Sequence, residues 1–312
     1  MMFTYDDVCL LPAYSTLSSR CEADPRVNFL DGVFELPVIP SNMVSVINEK
    51  IARKFSENNH FYVMHRFGED TRTLDFLKLS NKENWKTISI SVGVNEPSRA
   101  VLLDSAENNL RINFITIDVA HGHHKKTQQM IKYIRCTHPH AKIIAGNVAT
   151  SAGVQDLQLW GADAIKVGVG SGSIWTTRLM TGFGSPMFSC IQACAKHAEV
   201  PLIAEGGAKH FGDISKALTA GASMVMSGSW FASCVDSPAE IINGKKLYYG
   251  STSFEAKRHH DHIEGRSLSI ESSRTYKETL HDIKQALQSS ISYAGGKDLS
   301  AFKTTEYEIV KR

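Results

Sequence analysis

The chain has no apolar run long enough to span a membrane; its longest are short, β-branched stretches of strand length. It also lacks excess charge: 34 Lys and Arg stand against 32 Asp and Glu, for a net +2. That balance excludes bulk electrostatic attraction to nucleic acid or to an acidic membrane surface, so neither partner is expected. None of the six cysteines forms a CxxC pair or a zinc-type spacing. The opening stretch, MMFTYDDVCLLP, has acidic residues where a secretory signal needs basic ones. Together these features point to a reduced, cytoplasmic protein whose cysteines are mostly core residues. Cys190 and Cys194, one helical turn apart, are expected on a buried helix face. With 42% apolar and 21% charged residues over 312 positions, the composition is that of an ordinary globular chain.

What is present is a repeated alternation. Eight apolar runs, at 36–40, 61–65, 88–94, 114–120, 143–148, 164–170, 202–207 and 224–229, are each followed by an amphipathic stretch. Continuous apolar runs, rather than strict alternation, mark strands buried on both faces, as parallel sheets require. No GxGxxG turn follows the first run, which disfavours a doubly wound open sheet. The expected fold is a (β/α)8 TIM barrel forming a single domain over 1–312. A polar, histidine-rich segment at about 245–270 lacks clear periodicity and reads as a mobile flap after the eighth strand, or as a surface loop. A C-terminal helix and tail should occupy 271–312, with the helix packed outside the barrel.

Most runs end in small or polar residues: Ser41-Asn42-Met43, His65-Arg66, Asp118, Asn147, Gly168-Val169-Gly170, Glu205-Gly206-Gly207 and Gly228-Ser229. A barrel brings these ends to one face. The Gly-rich run KVGVGSGSIWTT, with the glycines of the next two strands, favours a phosphorylated small molecule held by backbone N–H groups. Tight packing between barrel loops is the alternative reading of the same glycines. His121, His123 and His124 follow Asp118, but the adjacent pair cannot easily face one metal and no carboxylate–histidine spacing supports one.

These motifs resemble the IMP dehydrogenase/GMP reductase family, in particular its short bacterial reductase branch. The resemblance covers nearly the whole chain: YDDVCLLP, PSNM, ENNHFYVMHRF, SISVGV, ITIDVAHGH, IAGNVAT, GADAIKVGVGSGS, TGFG, AEGG and QSSISYAGG. The short stretch between His65 and Ile88 has no room for the regulatory insertion domain of IMP dehydrogenases. The resemblance implies NADPH-dependent reductive deamination of GMP to IMP, a bound potassium ion and a homotetramer. It implies that Ser173, Gly206, Gly207, Gly228 and Ser229 hold the nucleotide phosphate and that Glu205 faces the ribose hydroxyls. Ser251 and Thr252 would lie near the purine base. Asp118, Asn147 and Arg66 would lie at the cofactor, and the carbonyls of Gly170, Gly172 and Trp175 would hold the cation. Thr177 and Glu264 match a pair that handles proton transfer to the leaving ammonia.

One position breaks the pattern. The family loop reads G-x-G-x-x-C-x-T, and its Cys attacks purine C2; this chain reads Gly170-Ser171-Gly172-Ser173-Ile174-Trp175-Thr176-Thr177. An indole is a donor without a nucleophilic lone pair and cannot replace a thiolate. Glu205 in place of Asp, and Asp261 near a position that is basic in related enzymes, are further departures. Three readings follow: a diverged enzyme acting on a purine-like nucleotide, an inactive nucleotide-binding protein that regulates an active relative, or a reductase in which another cysteine has moved in. The first is favoured, and Trp175 could stack on a base.

Overall fold

The structure, a computed structural model, describes residues 1–68, 72–174, 176–250 and 265–310. The chain opens with strand β1 (Val8–Leu10) and a hairpin of β2 (Val27–Phe29) and β3 (Gly32–Phe34). The parallel sheet is then built from β4 (Val38–Pro40), β5 (Ser89–Val92), β6 (Phe114–Asp118), β7 (Lys142–Val148), β8 (Ala164–Val167), β9 (Leu202–Glu205) and β10 (Met224–Ser227). Their order is β4-β10-β9-β8-β7-β6-β5, so the first strand pairs with the last and the sheet curls toward closure. Val225 is in register with Val38 and Ser227 with Pro40. This is the (β/α)8 barrel that the alternation predicts.

The second stave differs from expectation. Residues 61–65 form no regular strand; Met64 alone bridges Ile90, donating to the Ser89 carbonyl at 3.1 Å and accepting from the Ser91 N–H at 2.9 Å. Aromatic bulk explains its shape. Phe61 faces inward and meets Phe29 at 5.2 Å, Phe34 at 5.1 Å and Phe114 at 5.0 Å between ring centroids, all edge-on. Ile39, Phe61, Val63, Phe114, Ile144, Ala164, Ile203, Met224 and Met226 fill the barrel interior, and the β2–β3 hairpin seals its N-terminal end. The alternate residues Val38, Ile115, Ile117, Ile143, Ile165, Leu202 and Val225 pack outward under the helices. Two apolar faces on one strand are why the runs are continuous.

The helices are α1 (Glu49–Glu57), α2 (Arg72–Lys82), α3 (Glu96–Glu107), α4 (Lys125–Thr137), α5 (Ser151–Leu159), α6 (Thr177–Thr181), α7 (Met187–Ala195), α8 (Gly212–Thr219), α9 (Ser229–Ala232) and α10 (Tyr276–Tyr293). Several start where a capping side chain ends the preceding loop: Asn48 accepts from Ile51 N–H, Asn95 from Ser98 and Thr150 from Gly153. Helix α10 begins at a capping box of Thr275 and Glu278 and buries Ile283, Leu287 and Ile291. None of the described helices is long and apolar enough to cross a membrane.

Other details correct the sequence reading. Both ends of the expected flap are paired: β11 (Ile241–Ile242), β12 (Lys245–Tyr249) and β13 (Ser267–Ile270) form an antiparallel sheet. Their alternation is hidden because a buried position of β12 is Lys246, whose ammonium donates to the carbonyls of Ser237 and Ala239 at 2.9 and 3.1 Å. The tail adds β14 (Tyr307–Ile309), antiparallel to β1. The cysteines are not mostly core: Cys190, Cys194 and Cys234 are buried, whereas Cys9, Cys21 and Cys136 are exposed.

Candidate functional site

Inward parity on the strands places polar groups in a layer above the apolar filling. Asp118 follows Phe114 and Thr116 on β6, Lys166 follows Ala164 on β8, and Glu205 follows Ile203 on β9. Lys166 is fully buried, and its ammonium lies 2.5 Å from Asp118 Oδ1 and 2.9 Å from Glu205 Oε2. Asn42, just past β4, donates from Nδ2 to the other Asp118 oxygen at 2.9 Å. Asn147 on β7 donates from Nδ2 to Glu205 Oε2 and to the Gly168 carbonyl, both at 2.8 Å. Five barrel staves are thereby joined by one hydrogen-bonded network.

The electrostatics follow. Burial alone would push the Lys166 ammonium toward neutrality, but Asp118 and Glu205 outweigh it and hold the group protonated, with its pKa raised. Burial likewise opposes the Asp118 charge, yet Lys166, Asn42 and Arg66 hold that carboxyl below its usual range. Arg66 is itself lowered by burial, with Asp118 acting against the shift. Its guanidinium lies over the Phe67 ring at 4.5 Å. Arg66 Nε and Asn147 Oδ1 are buried and have no hydrogen-bond partner among the described residues.

A cavity of about 130 Å³ opens over this layer. Asn42, Arg66, Asp118, Asn147, Gly170, Gly172, Thr177, Glu205 and Gly206 are among its walls. A neighbouring cavity of about 310 Å³ shares Gly170, Ser171 and Gly172 with it and adds Ser173, Gly207, Lys209 and Arg266. Gly206, with φ of +92°, is where loop packing demands glycine: a Cβ there would stand 2.5 Å from Ser171 Oγ and 2.9 Å from the Gly172 nitrogen. Gly228 follows β10 and caps α9, which Ser229 begins; they line neither cavity, and Gly228 lies directly against the Tyr248 hydroxyl. His123 is engaged elsewhere, 2.7 Å from Asp156 on α5.

The barrel therefore gathers Arg66, Asp118, Asn147, Gly170, Gly172, Thr177, Glu205 and Gly206 at one cavity and Ser173 and Gly207 at its neighbour. Trp175, Ser251, Thr252, Asp261 and Glu264 lie outside the described residues. Lys166, Asn42, Tyr248 and Arg266 carry no role in the sequence reading. Lys166 had a signal: a cation at an inward position of a buried strand requires carboxylate partners. Asn42 stands at a strand end like the others. Tyr248 and Arg266 belong to the paired ends of the flap segment, whose strands were not foreseen.

A single-domain barrel with a buried charged layer beneath glycine-rich strand ends defines a small-molecule-binding α/β barrel. The family model for the IMP dehydrogenase / GMP reductase domain matches residues 2–312. A GMP reductase of Pediococcus pentosaceus is 45% identical over 316 residues, covering 99% of this chain and 97% of that protein. GMP reductases of Staphylococcus carnosus and Staphylococcus aureus are 44% and 43% identical, with the same coverage. The chain belongs to the IMP dehydrogenase/GMP reductase family.

Proposed function

We propose that the protein binds a purine nucleotide, GMP or a close analogue, next to NADPH, and acts on it without the covalent cysteine chemistry of GMP reduction. The observation that carries this is Trp175, in a loop that otherwise keeps the family pattern from Gly170 to Thr177. None of the six cysteines is among the described residues lining either cavity, so no displaced thiol supports ordinary GMP reduction.

Arg66 Nε and Asn147 Oδ1, both buried without described partners, leave a donor and an acceptor for a polar ligand. They support NADPH held by Arg66, Asp118 and Asn147; when bound it would supply hydride. The carbonyls of Gly170, Gly172 and Trp175 suit a potassium ion, since a carbonyl donor set is what that ion takes. A Cβ on Gly170 would stand 3.2 Å from the Phe183 carbonyl oxygen, so another such oxygen lies close by. Ser173, Gly206, Gly207, Gly228 and Ser229 are proposed for the phosphate, and Ser251 and Thr252 for the base. Thr177, on the cavity wall, favours retained proton transfer with Glu264 as its partner. Exposed Leu179, Met180 and Phe183, beside the site, support a homotetramer that covers them.

The test compares NADPH oxidation with GMP for this protein and an active relative. Absent or very weak turnover is expected; a rate matching the relative overturns the proposal. Trp175→Cys then asks whether only the nucleophile is missing. The absence of a cavity thiol also favours an inactive binder. Glu264→Gln separates the two: turnover of the true substrate falls in an enzyme, whereas a binder keeps its affinity.

A further inference from the structure

We propose that Lys166 is a positioning residue that sets how the site reads the sugar of its nucleotide, by holding the Glu205 carboxylate drawn down toward the barrel axis. This rests on the nucleotide reading given above, with Glu205 at the ribose as the resemblance implies, and adds to it what holds that carboxylate in place.

Lys166 does not reach the cavity. It is fully buried one layer beneath, so it acts only through the groups it touches. Those groups are Asp118 Oδ1 at 2.5 Å and Glu205 Oε2 at 2.9 Å. On Glu205 the bonds are one-sided: Lys166 Nζ and Asn147 Nδ2 both fall on Oε2, the second at 2.8 Å. Oε1 takes no hydrogen bond from a described residue, while Glu205 forms part of the cavity wall. The carboxylate is thus sunk by one oxygen and presents the other.

Glutamate has one more rotatable bond than aspartate, and a free one would sample several positions over the cavity. The two donors on Oε2 remove that freedom. A single fixed, charged oxygen is an acceptor for a hydroxyl, and charge-assisted hydrogen bonds to hydroxyls are short and strong. A ribose hydroxyl is such a group, and it is the partner that the family resemblance implies for Glu205. Without Lys166, Asp118 and Glu205 would share the layer with no cation between them, and repulsion would drive the longer side chain out of place. Asp118 would keep Asn42, its second partner, at 2.9 Å.

The experiment measures calorimetric Kd values of GMP and 2′-deoxy-GMP for the natural protein and for Lys166→Met, Lys166→Arg and Glu205→Gln. The deoxynucleotide differs by one hydroxyl, so its affinity controls for general damage to the site. The natural protein should prefer GMP by about tenfold, the scale of one charged hydrogen bond. That ratio should fall toward one in Lys166→Met and Glu205→Gln while 2′-deoxy-GMP still binds, and Lys166→Arg should recover part of it. A Lys166→Met protein that keeps the full preference overturns the proposal, as does a natural protein with none. Should Lys166→Met not fold, Lys166→Arg carries the test: it keeps the charge but moves the donors, so an unaltered ratio overturns and an altered one supports. Failure of GMP, IMP and XMP alike to bind the natural protein overturns the nucleotide reading itself, and this proposal with it.

Discussion

Arg266 holds the carbonyl oxygen of Ser173 with two guanidinium nitrogens, Nε at 3.1 Å and Nη2 at 2.9 Å, and its backbone N–H donates to the Ile174 carbonyl at 2.9 Å. The foot of the flap segment is thereby tied to the loop just ahead of position 175. Removing the guanidinium by Arg266→Met leaves the backbone bond and frees the Ser173 carbonyl. GMP affinity should weaken by about three- to tenfold, the range for two charge-assisted bonds at an exposed position. Titration calorimetry reads this directly; an unchanged Kd would mean that the loop keeps its course without the side chain.

Gly228→Ala should distort the turn between β10 and α9. The added Cβ would overlap the Tyr248 hydroxyl and stand 2.9 Å from its Cζ, and Tyr248 is buried. Overpacking of this kind costs about 1–3 kcal/mol. Urea unfolding should show the loss, and nucleotide binding should weaken with it.

Phe61→Ala should be the most damaging of these changes. It empties a site shared with Phe29, Phe34 and Phe114, and Phe61 is completely buried. Loss of about 3–5 kcal/mol is expected from urea unfolding, with Phe61→Leu costing less.

Stability should fall on mild acidification. Burial holds His60 and His65 neutral, each with its pKa lowered to about 4 from 6.5. Between those values the unfolded chain binds protons that the folded one does not, so stability rises with pH across the window. Urea midpoints should therefore drop steadily from pH 7 to pH 4.5. His60→Gln should flatten part of the slope; a profile as steep as that of the natural protein would exclude His60 as a source.

The barrel was legible because its strands are apolar on both faces, and the strand ends gave most of the cavity wall. Residues such as Asp118, Asn147 and Thr177 needed only the fold to bring them together. The network beneath them was less legible. Lys166 announces a need for partners, but its partner Asp118 is 48 positions away in sequence, and only the curled parallel sheet makes them neighbours. The second stave misled in the other direction: FYVMH has strand composition, yet the bulk of Phe61 is used to fill the barrel rather than to extend a ladder. Cys9 illustrates a third limit, since on the short strand β1 it takes the outward position next to a buried Val8.

The phenylalanines packed under the β2–β3 hairpin close the barrel at its far end. Among the described residues, the cavities over the charged layer lie at the other end, beside the glycine loops. Any molecule that reaches the charged layer enters past the glycine loops and leaves the same way. A nucleotide and NADPH, bound as proposed, would share that side of the barrel, and each would pass the loop Gly170–Gly172 that the two cavities have in common.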